Sequence, residues 1–272
     1  MTNIMTSTLL ISSSELPKWT LRYQYIHSGY RNPDLHMTPY DCLRSLTFFH
    51  NETLNIFTHL FATFYYTGVL INLDPPPHAS IEAKVILYLS CIFPLIMFFF
   101  STVAHTFYLI SPRVNAFLWK LDVTGITLTF YTIVLSGGWA AGGFQSSTPF
   151  YIFQSFCLSW ISYSMYSLWV HSNYRSSDVM GSLTTTVFPL VVHLVYPAPP
   201  VIQFYLNTGA AAAAVSCIVY FLSIPERFVK ERLGPVGNSH HILHVGSFFA
   251  ALLLLQGTIE VAKHDQYLRL TA

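Results

Sequence analysis

Long apolar segments recur along this chain, and they constrain its fold more than any other feature. A helix needs about 20 mostly apolar residues to cross the hydrocarbon core of a bilayer. Seven segments are candidates by this criterion, and they cover residues 54–73, 85–110, 121–139, 151–170, 183–196, 201–224 and 240–261. The fifth is the shortest and must start nearer Asp178 if it crosses completely. We therefore expect an all-α membrane protein built as a bundle of seven transmembrane helices.

The composition agrees with a membrane location. Hydrophobic residues make up 53% of the 272 positions, charged residues only 9%, and the mean hydropathy is +0.47. Soluble domains carry about 25% charged residues, so this chain is not a soluble domain with an ordinary core. The four cysteines are far apart and form no C-x-x-C pair, which predicts free thiols.

Basic residues are distributed unevenly between the two ends of the predicted helices. In a seven-helix arrangement, ten Lys and Arg residues lie on the side of the amino terminus and three lie on the other side. Positively charged loops are retained in the cytosol. We expect a cytosolic amino-terminal segment at 1–50, a transmembrane domain at 51–262 and an extracellular or lumenal tail at 263–272. This orientation is opposite to that of G-protein-coupled receptors.

Three histidines and one aspartate lie where a membrane protein rarely carries ionisable groups. His105 is near the end of the second apolar segment, Asp122 is at the start of the third, and His240 and His244 are at the start of the last. In the expected orientation all four lie roughly one or two helical turns inside the cytosolic face. Ionisable groups at membrane depth are costly and usually mark a function.

The spacing of these residues is typical of a metal site. His240 and His244 are four residues apart, as are Ser101 and His105, so each pair projects from one face of a helix. An isolated histidine in a helix interface is more often a packing residue, but three at one depth beside Asp122 favour metal binding. Zinc with three protein ligands leaves its fourth position to water, as in catalytic sites.

Four motifs occur together in this chain. They are His50-Asn51-Glu52-Thr53-Leu54-Asn55-Ile56-Phe57-Thr58-His59-Leu60, Ser101-x3-His105, Lys120-Leu121-Asp122-x2-Gly125, and Pro225-Glu226-Arg227 leading to Ser239-His240-x3-His244. In combination they resemble the progestin and adipoQ receptor (PAQR) family, which includes the adiponectin receptors. The resemblance extends from about residue 28 to residue 256. It implies a seven-helix fold with a cytosolic amino terminus and zinc held by His105, His240 and His244.

Two details refine the resemblance. The residues around Ser28 to Arg31 and Cys42 to Leu46 look most similar to the fourth member of the family, rather than to its adiponectin or progestin binders. At position 241 relatives usually carry a different polar residue, so His241 is an additional candidate for metal binding. A residue one step along a helix points about 100° away, so His241 cannot share the face of His244.

The constellation predicts metal-assisted hydrolysis. Zinc lowers the pKa of bound water and polarises a carbonyl, Asp122 can accept the proton of the water, and Ser101 can hydrogen-bond the water or the oxyanion. Alternatively, Asp122 orients a ligand histidine without taking part in the chemistry. The substrate would enter from the lipid. The resemblance implies ceramide, because adiponectin receptors and the similar alkaline ceramidases are associated with its cleavage.

Further polar residues receive less specific predictions. Glu52 and Asn55 either hold the histidine-bearing helices through hydrogen bonds or cap the first helix. His59 is expected to be a hydrogen-bonded core histidine. Ser239 is expected to cap the last helix, and Asp265, near the far end of that helix, is expected to face water.

Two hypotheses from different classes remain open on the sequence. One is a zinc-dependent lipid amide hydrolase in sphingolipid signalling, with or without a receptor role. The other is a non-enzymatic receptor or scaffold in which zinc only ties helices together, with Asp122 closing the fourth position. A channel is weaker because the polar groups cluster at one face of the bilayer instead of crossing it.

The expected partners are membrane lipids, including ceramide, and not nucleic acid. A protein ligand or signalling partner is not identifiable from the sequence. The spans suit the plasma membrane or the Golgi, and the resemblance to the fourth member of the family favours the Golgi.

Overall fold

A computed structural model describes residues 9–20, 23, 25–35, 38–142, 148–171, 198–229 and 236–270. Near the amino terminus two short antiparallel strands pair, β1 (Leu10–Ile11) with β2 (Tyr30–Arg31), and a 3₁₀ turn follows at Pro33–Leu35. The other described elements are α-helices. The helices are α1 (Pro39–Ser45), α2 (Thr53–Ile71), α3 (Ile81–Phe107), α4 (Pro112–Gly142), α5 (Thr148–His171), α6 (Pro200–Phe221) and α7 (Ser239–Leu270).

Five of these helices are long and apolar enough to cross a membrane, namely α2, α3, α4, α6 and α7. Helix α5 has the length, but it is rich in serine, tyrosine and tryptophan and is not among the five. Large apolar side chains such as Phe61, Phe64 and Phe204 are exposed on the outside of the bundle, as expected for contact with lipid. The described part of the chain is mostly helical, which is consistent with an all-α membrane protein. The predicted segment 183–196 lies outside the described residues.

Helix α4 begins at Pro112, nine residues before the start that the apolar pattern predicts. The Ser111 hydroxyl accepts a hydrogen bond from the Val114 amide at 3.2 Å, and proline suits the first turn of a helix. The apolar pattern misses these turns because Arg113 and Lys120 interrupt it. Asp122 is therefore the eleventh residue of α4, and the expectation that it lies at the start of the helix is wrong.

Helix α7 is capped by Asn238, so the prediction of Ser239 as the cap is wrong. The Asn238 side-chain oxygen accepts a hydrogen bond from the His241 amide at 3.1 Å, and its carbonyl accepts one from the Ile242 amide at 3.2 Å. Ser239 is the first residue of the helix and donates its amide and its hydroxyl to the buried carboxylate of Glu226. A carboxylate at this position is favourable because a helix amino terminus carries partial positive charge.

At the opposite end of α7, Asp265 is buried, contrary to the expectation that it faces water. One carboxylate oxygen accepts a hydrogen bond from the Ser80 amide at 2.9 Å, and the other accepts one from Trp139 Nε1 at 3.2 Å. Ser80 caps α3 and Trp139 belongs to α4. Asp265 thus joins three helices, and these donors compensate for the burial of its charge.

Helix α7 lies centrally in the bundle. Its residue Leu254 belongs to an apolar cluster shared with α4, α5 and α6, while Ala251 belongs to a second cluster shared with α2 and α3. Between them, the hydroxyls of Ser90, Ser136 and Thr258 form a buried hydrogen-bonded group that connects α3, α4 and α7. The histidines that begin α7 therefore stand on a helix that is held from both sides.

Glycines bring the helix backbones close together. A Cβ atom placed on Gly125 of α4 would lie 2.5 Å from the Met97 Cα of α3, and one placed on Gly246 of α7 would overlap the Ser216 hydroxyl of α6. Small residues permit such close approaches in membrane bundles, where packing replaces the hydrophobic effect as the main force between helices.

We expect Gly125→Ala to destabilise the bundle, because the new methyl group would meet the backbone of Met97. Overpacking of this kind typically costs about 1–3 kcal/mol. Gly68→Ala in α2 is the matched control, since a Cβ atom there meets no atom within 4 Å and alanine is the better helix former. Thermal unfolding in detergent measures both variants, and an unchanged midpoint for Gly125→Ala would contradict the close approach.

Candidate metal centre

The three histidines of the predicted site lie together in the structure. His105 is in the last turn of α3, and His240 and His244 are in the first two turns of α7. All three are buried, and one nitrogen of each lies within 4.8 Å of one nitrogen of each of the others. The Nε2 atoms of His105 and His240 are 3.4 Å apart. Two helices that are distant in sequence thus present a compact set of three imidazoles.

Two of the imidazoles are held through Nδ1. His105 Nδ1 lies 2.7 Å from Glu52 Oε2, and His244 Nδ1 lies 3.2 Å from the Asn55 carbonyl oxygen. Both partners are acceptors, so Nδ1 carries the hydrogen and the Nε2 lone pair is left for a ligand. Metal-binding histidines are typically fixed in this way by a carboxylate or a carbonyl.

Glu52 lies at the centre of a buried hydrogen-bond network. Besides His105, its carboxylate accepts hydrogen bonds from Asn55 Nδ2 at 2.7 Å, from the Tyr23 hydroxyl at 3.3 Å and from the Asn51 amide group. Glu52 is completely buried, and these donors compensate for the loss of water around its carboxylate.

Of the two roles predicted for Glu52 and Asn55, the structure confirms the first. Glu52 occupies the position that precedes α2, but its side chain makes no capping hydrogen bond. It contacts His105 of α3 instead, and Asn55 contacts His244 of α7 through its carbonyl. These two residues connect α2 to the helices that carry the histidines.

Asp122 and Ser101 lie next to the three histidines. The Ser101 side chain, one turn before His105, lies near the Asp122 carboxyl, and this carboxyl also lies near His105. Both side chains are buried. Among the described residues, the mutually close set of possible ligand atoms contains the three histidines and not Asp122. The carboxyl thus borders the set without completing it.

His59 and His241 have the positions that the helical pattern predicts. His59 Nε2 lies 3.3 Å from the Ser247 hydroxyl, which confirms a hydrogen-bonded core histidine, and its ring stacks on His244 at 3.7 Å between centroids. His241 Nδ1 accepts hydrogen bonds from the amides of Gly237 and Asn238 at 3.0 and 3.3 Å. It serves the cap of α7 and is not part of the set of three.

Sequence reasoning missed the aromatic residues around the histidines. Tyr23 and Tyr220 contact the His240 ring edge-to-face at 5.4 and 5.1 Å between centroids, and Trp119 contacts His105 at 5.2 Å. Tyr23 belongs to the amino-terminal segment, which the distribution of basic residues predicts only as a cytosolic segment. No local motif marks these residues, because they meet the histidines only after the helices have packed.

Arg31 was also missed, because the charge count treats it as a loop residue. It is completely buried and donates hydrogen bonds to the carbonyl oxygens of His105 and Thr106 at 2.6 and 2.9 Å and to the Ser45 hydroxyl at 3.1 Å. Its guanidinium lies 5.2 Å from the centre of the Tyr108 ring. The last carbonyls of a helix have no partner within it, so Arg31 satisfies the end of α3 where His105 is located.

The profile of the haemolysin-III related family matches residues 47–255, which include all three histidines, Glu52, Ser101 and Asp122. The chain belongs to this family. The match covers well over half of the sequence and contains every helix from α2 to α6 together with the first half of α7. The haemolysin-III related region therefore coincides with the helices that build the candidate metal centre.

Relatives of this haemolysin-III related protein occur in several kingdoms. An uncharacterised protein of Schizosaccharomyces pombe is 28% identical over 251 residues, covering 87% of this chain and 56% of that protein. Heptahelical transmembrane protein 1 of Arabidopsis thaliana is 27% identical, covering 89% and 78%. The adiponectin receptor protein of Drosophila melanogaster is 26% identical, covering 92% and 59%. The chain thus spans less than two thirds of two of these three relatives.

These comparisons confirm the resemblance to the progestin and adipoQ receptor family. They do not address the likeness to its fourth member, which stays a prediction.

We expect Arg31→Lys to destabilise this haemolysin-III related protein markedly. Lysine cannot reach both carbonyls and the Ser45 hydroxyl with a single ammonium group, so buried acceptors would lose their donor. Hydrogen bonds to charged groups contribute about 1.5–3 kcal/mol each, so the loss should exceed about 2 kcal/mol. Arg44→Lys is the control because Arg44 is exposed. Equal unfolding midpoints for the two variants would refute this role of Arg31.

Proposed function

We propose that this protein is a zinc-dependent hydrolase of lipid amides with ceramide-like substrates. The observation that carries the proposal is the set of three buried imidazoles, whose nitrogens lie within 4.8 Å of one another on two neighbouring helices. The carboxyl of Asp122 borders the set without belonging to it. Three protein ligands with an open fourth position are typical of catalytic zinc.

The donors fit zinc and other transition metals, and not magnesium or calcium. Neutral imidazoles suit zinc, copper, iron and nickel, whereas magnesium and calcium require oxygen ligands. His105 and His244 are each fixed through Nδ1 by an acceptor, which leaves Nε2 for the metal, and the Nδ1 atom of His240 is buried without a hydrogen-bond partner. His105, His240 and His244 would hold the ion.

The proposed arrangement in the membrane has seven transmembrane helices and a cytosolic amino terminus. Five described helices satisfy the length and hydropathy criteria, and α5 together with the segment 183–196 would complete the number. The excess of basic residues on the amino-terminal side and the relative named a heptahelical transmembrane protein support this topology. We retain the division into a segment at 1–50, a membrane domain at 51–262 and a tail at 263–272.

In the proposed reaction, the protein residues position the substrate and move a proton. Zinc, when bound, supplies Lewis acidity that polarises a carbonyl oxygen and acidifies a water molecule. The Asp122 carboxylate accepts the proton of the attacking water and passes it to the leaving amine. The Ser101 hydroxyl, which lies beside Asp122, donates a hydrogen bond to the oxygen on which negative charge develops. Trp119, Tyr220 and Tyr23 exclude bulk water from the histidines.

A lipid amide is the substrate class that suits the position of this site. The histidines are buried in a bundle whose outer face exposes phenylalanine and other apolar side chains. An acyl chain can occupy the lipid phase while its amide is at the level of the histidines, near one end of α3 and α7. The family resemblance points to ceramide, and to a role in sphingolipid signalling at the Golgi or the plasma membrane.

The second candidate function is a receptor or scaffold with a structural metal. The observation in its favour is that the histidines and their partners connect α2, α3 and α7. A bound metal would strengthen this connection without catalysing a reaction. The relative named an adiponectin receptor protein is consistent with this function. Metal content and turnover together separate the two candidates.

The purified protein should contain about one zinc ion per chain, measured by elemental analysis after removal of loosely bound metal. His244→Ala should lose this zinc, because two remaining imidazoles bind it far more weakly. His27→Ala is the matched control, since His27 is exposed, and it should keep the zinc. The zinc proposal would be contradicted if the wild-type protein contained no stoichiometric zinc, or if His244→Ala and His27→Ala contained equal amounts of it.

Wild-type protein in nanodiscs should release sphingosine and a fatty acid from ceramide. Asp122→Asn should keep its zinc but hydrolyse ceramide about 10²- to 10⁴-fold more slowly, because the amide cannot accept the proton. Asp74→Asn is the control, since Asp74 is exposed at the other end of α2, and it should retain full turnover. Stoichiometric zinc in a wild-type protein that cleaves no lipid amide would favour the receptor or scaffold.

A further inference from the structure

The carboxylate of Glu52 is in direct contact with His105, although Glu52 lies on neither of the helices that carry the histidines. The two side chains are completely buried, with 2.7 Å between His105 Nδ1 and Glu52 Oε2. Glu52 also receives hydrogen bonds from Asn55, Asn51 and Tyr23, so that four donors converge on one carboxylate. Such a set holds the carboxylate in one orientation.

The amino-terminal segment closes this network from outside the helices. Tyr23 donates its hydroxyl to Glu52 and receives a hydrogen bond from Asn55 Nδ2 at 3.2 Å. Its ring contacts the edge of the His240 ring. A single residue of the segment therefore touches both a histidine of the set and the carboxylate that holds a second histidine.

We propose that Glu52 is a positioning residue that sets the metal affinity of the site through His105, and that Tyr23 of the amino-terminal segment supports Glu52 in this role. The proposal rests on the metal binding proposed above but not on hydrolysis. Glu52 fixes the tautomer of His105, with the hydrogen on Nδ1 and the lone pair of Nε2 towards His240 and His244. Tyr23 keeps the Glu52 carboxylate in place and packs against His240.

The physical reason is the number of donors that surround Glu52. A glutamine at this position offers one acceptor oxygen and brings two N–H donors of its own. These donors would face the donor groups of Asn55, Asn51 or Tyr23, with no acceptor between them. If the amide nitrogen faced His105, Nδ1 would become the acceptor and Nε2 would carry the hydrogen, which prevents metal binding by that histidine. Loss of such a partner typically weakens metal affinity by about 10- to 100-fold.

The test measures zinc affinity by competition with a chelator in the full-length, detergent-purified protein. Glu52→Gln should raise the zinc dissociation constant by about 10- to 100-fold. Tyr23→Phe removes one hydroxyl and keeps the ring, so the constant should rise less, by about 2- to 10-fold. In cobalt-substituted protein, the visible absorption bands should change in Glu52→Gln, because one ligand is displaced.

Asp265→Asn is the matched control. Asp265 is also a buried carboxylate with donors from two other helices, but it is 21 residues from His244 along α7, or about 30 Å. This variant should lower the unfolding temperature while leaving zinc affinity and the cobalt spectrum unchanged. A purely structural role of Glu52 would give the same pattern for Glu52→Gln.

The outcomes separate this inference from the proposed function. Wild-type protein that does not bind zinc overturns the zinc proposal itself. Wild-type protein that binds zinc, with Glu52→Gln within about twofold of the same affinity, overturns only the role of Glu52. If Glu52→Gln does not fold, Tyr23→Phe decides, and an affinity equal to that of wild type overturns the inference.

Discussion

The structure depends on the requirement that polar groups inside an apolar bundle find partners. A buried charge without a partner costs several kcal/mol, and membrane depth offers no water to replace the partner. At one end of the bundle Glu52 pairs with His105, and Arg31 satisfies the carbonyls that end α3. At the other end Asp265 receives donors from α3 and α4. These contacts fix where the ends of the helices meet, and the histidine set lies at the end that contains Glu52 and Arg31.

Close helix packing and the position of the site have a common origin. Gly125 lies three residues after Asp122 and lets α4 approach the backbone of α3 at Met97. This approach brings the Asp122 carboxyl near Ser101 and His105, which lie one and two turns further along α3. A larger residue at position 125 would separate the two helices at the level of the proposed chemistry, so a packing residue and a candidate catalytic residue depend on each other.

Patterns that repeat along one helix could be predicted from the sequence, whereas contacts between distant segments could not. The apolar segments located the described long helices, and the spacing of four identified the histidine set and excluded His241. The early start of α4 was missed because charged residues interrupt the apolar pattern in its first turns. Asn238 was missed as a cap because Ser239, next to it, is also a common capping residue. No local sequence signal predicts the burial of Arg31 and Asp265 or the contact of Tyr23 with His240. Each depends on partners that are distant in the sequence and come close only in the folded protein.

Helix α2 explains why the motif from residue 50 to residue 60 accompanies the histidines although it contains none of the set of three. Glu52, Asn55 and His59 are spaced by three and four residues and therefore lie on one face of the helix. Each of them meets the histidine set, since Glu52 holds His105, the Asn55 carbonyl holds His244, and the His59 ring stacks on His244. Helices α3 and α7 thus supply the three imidazoles, and α2 supplies their orientation. A change that shifts α2 relative to the other two helices would alter the orientation of two imidazoles at once. The proposed metal centre can therefore be influenced from the junction between the amino-terminal segment and α2, where Glu52 lies.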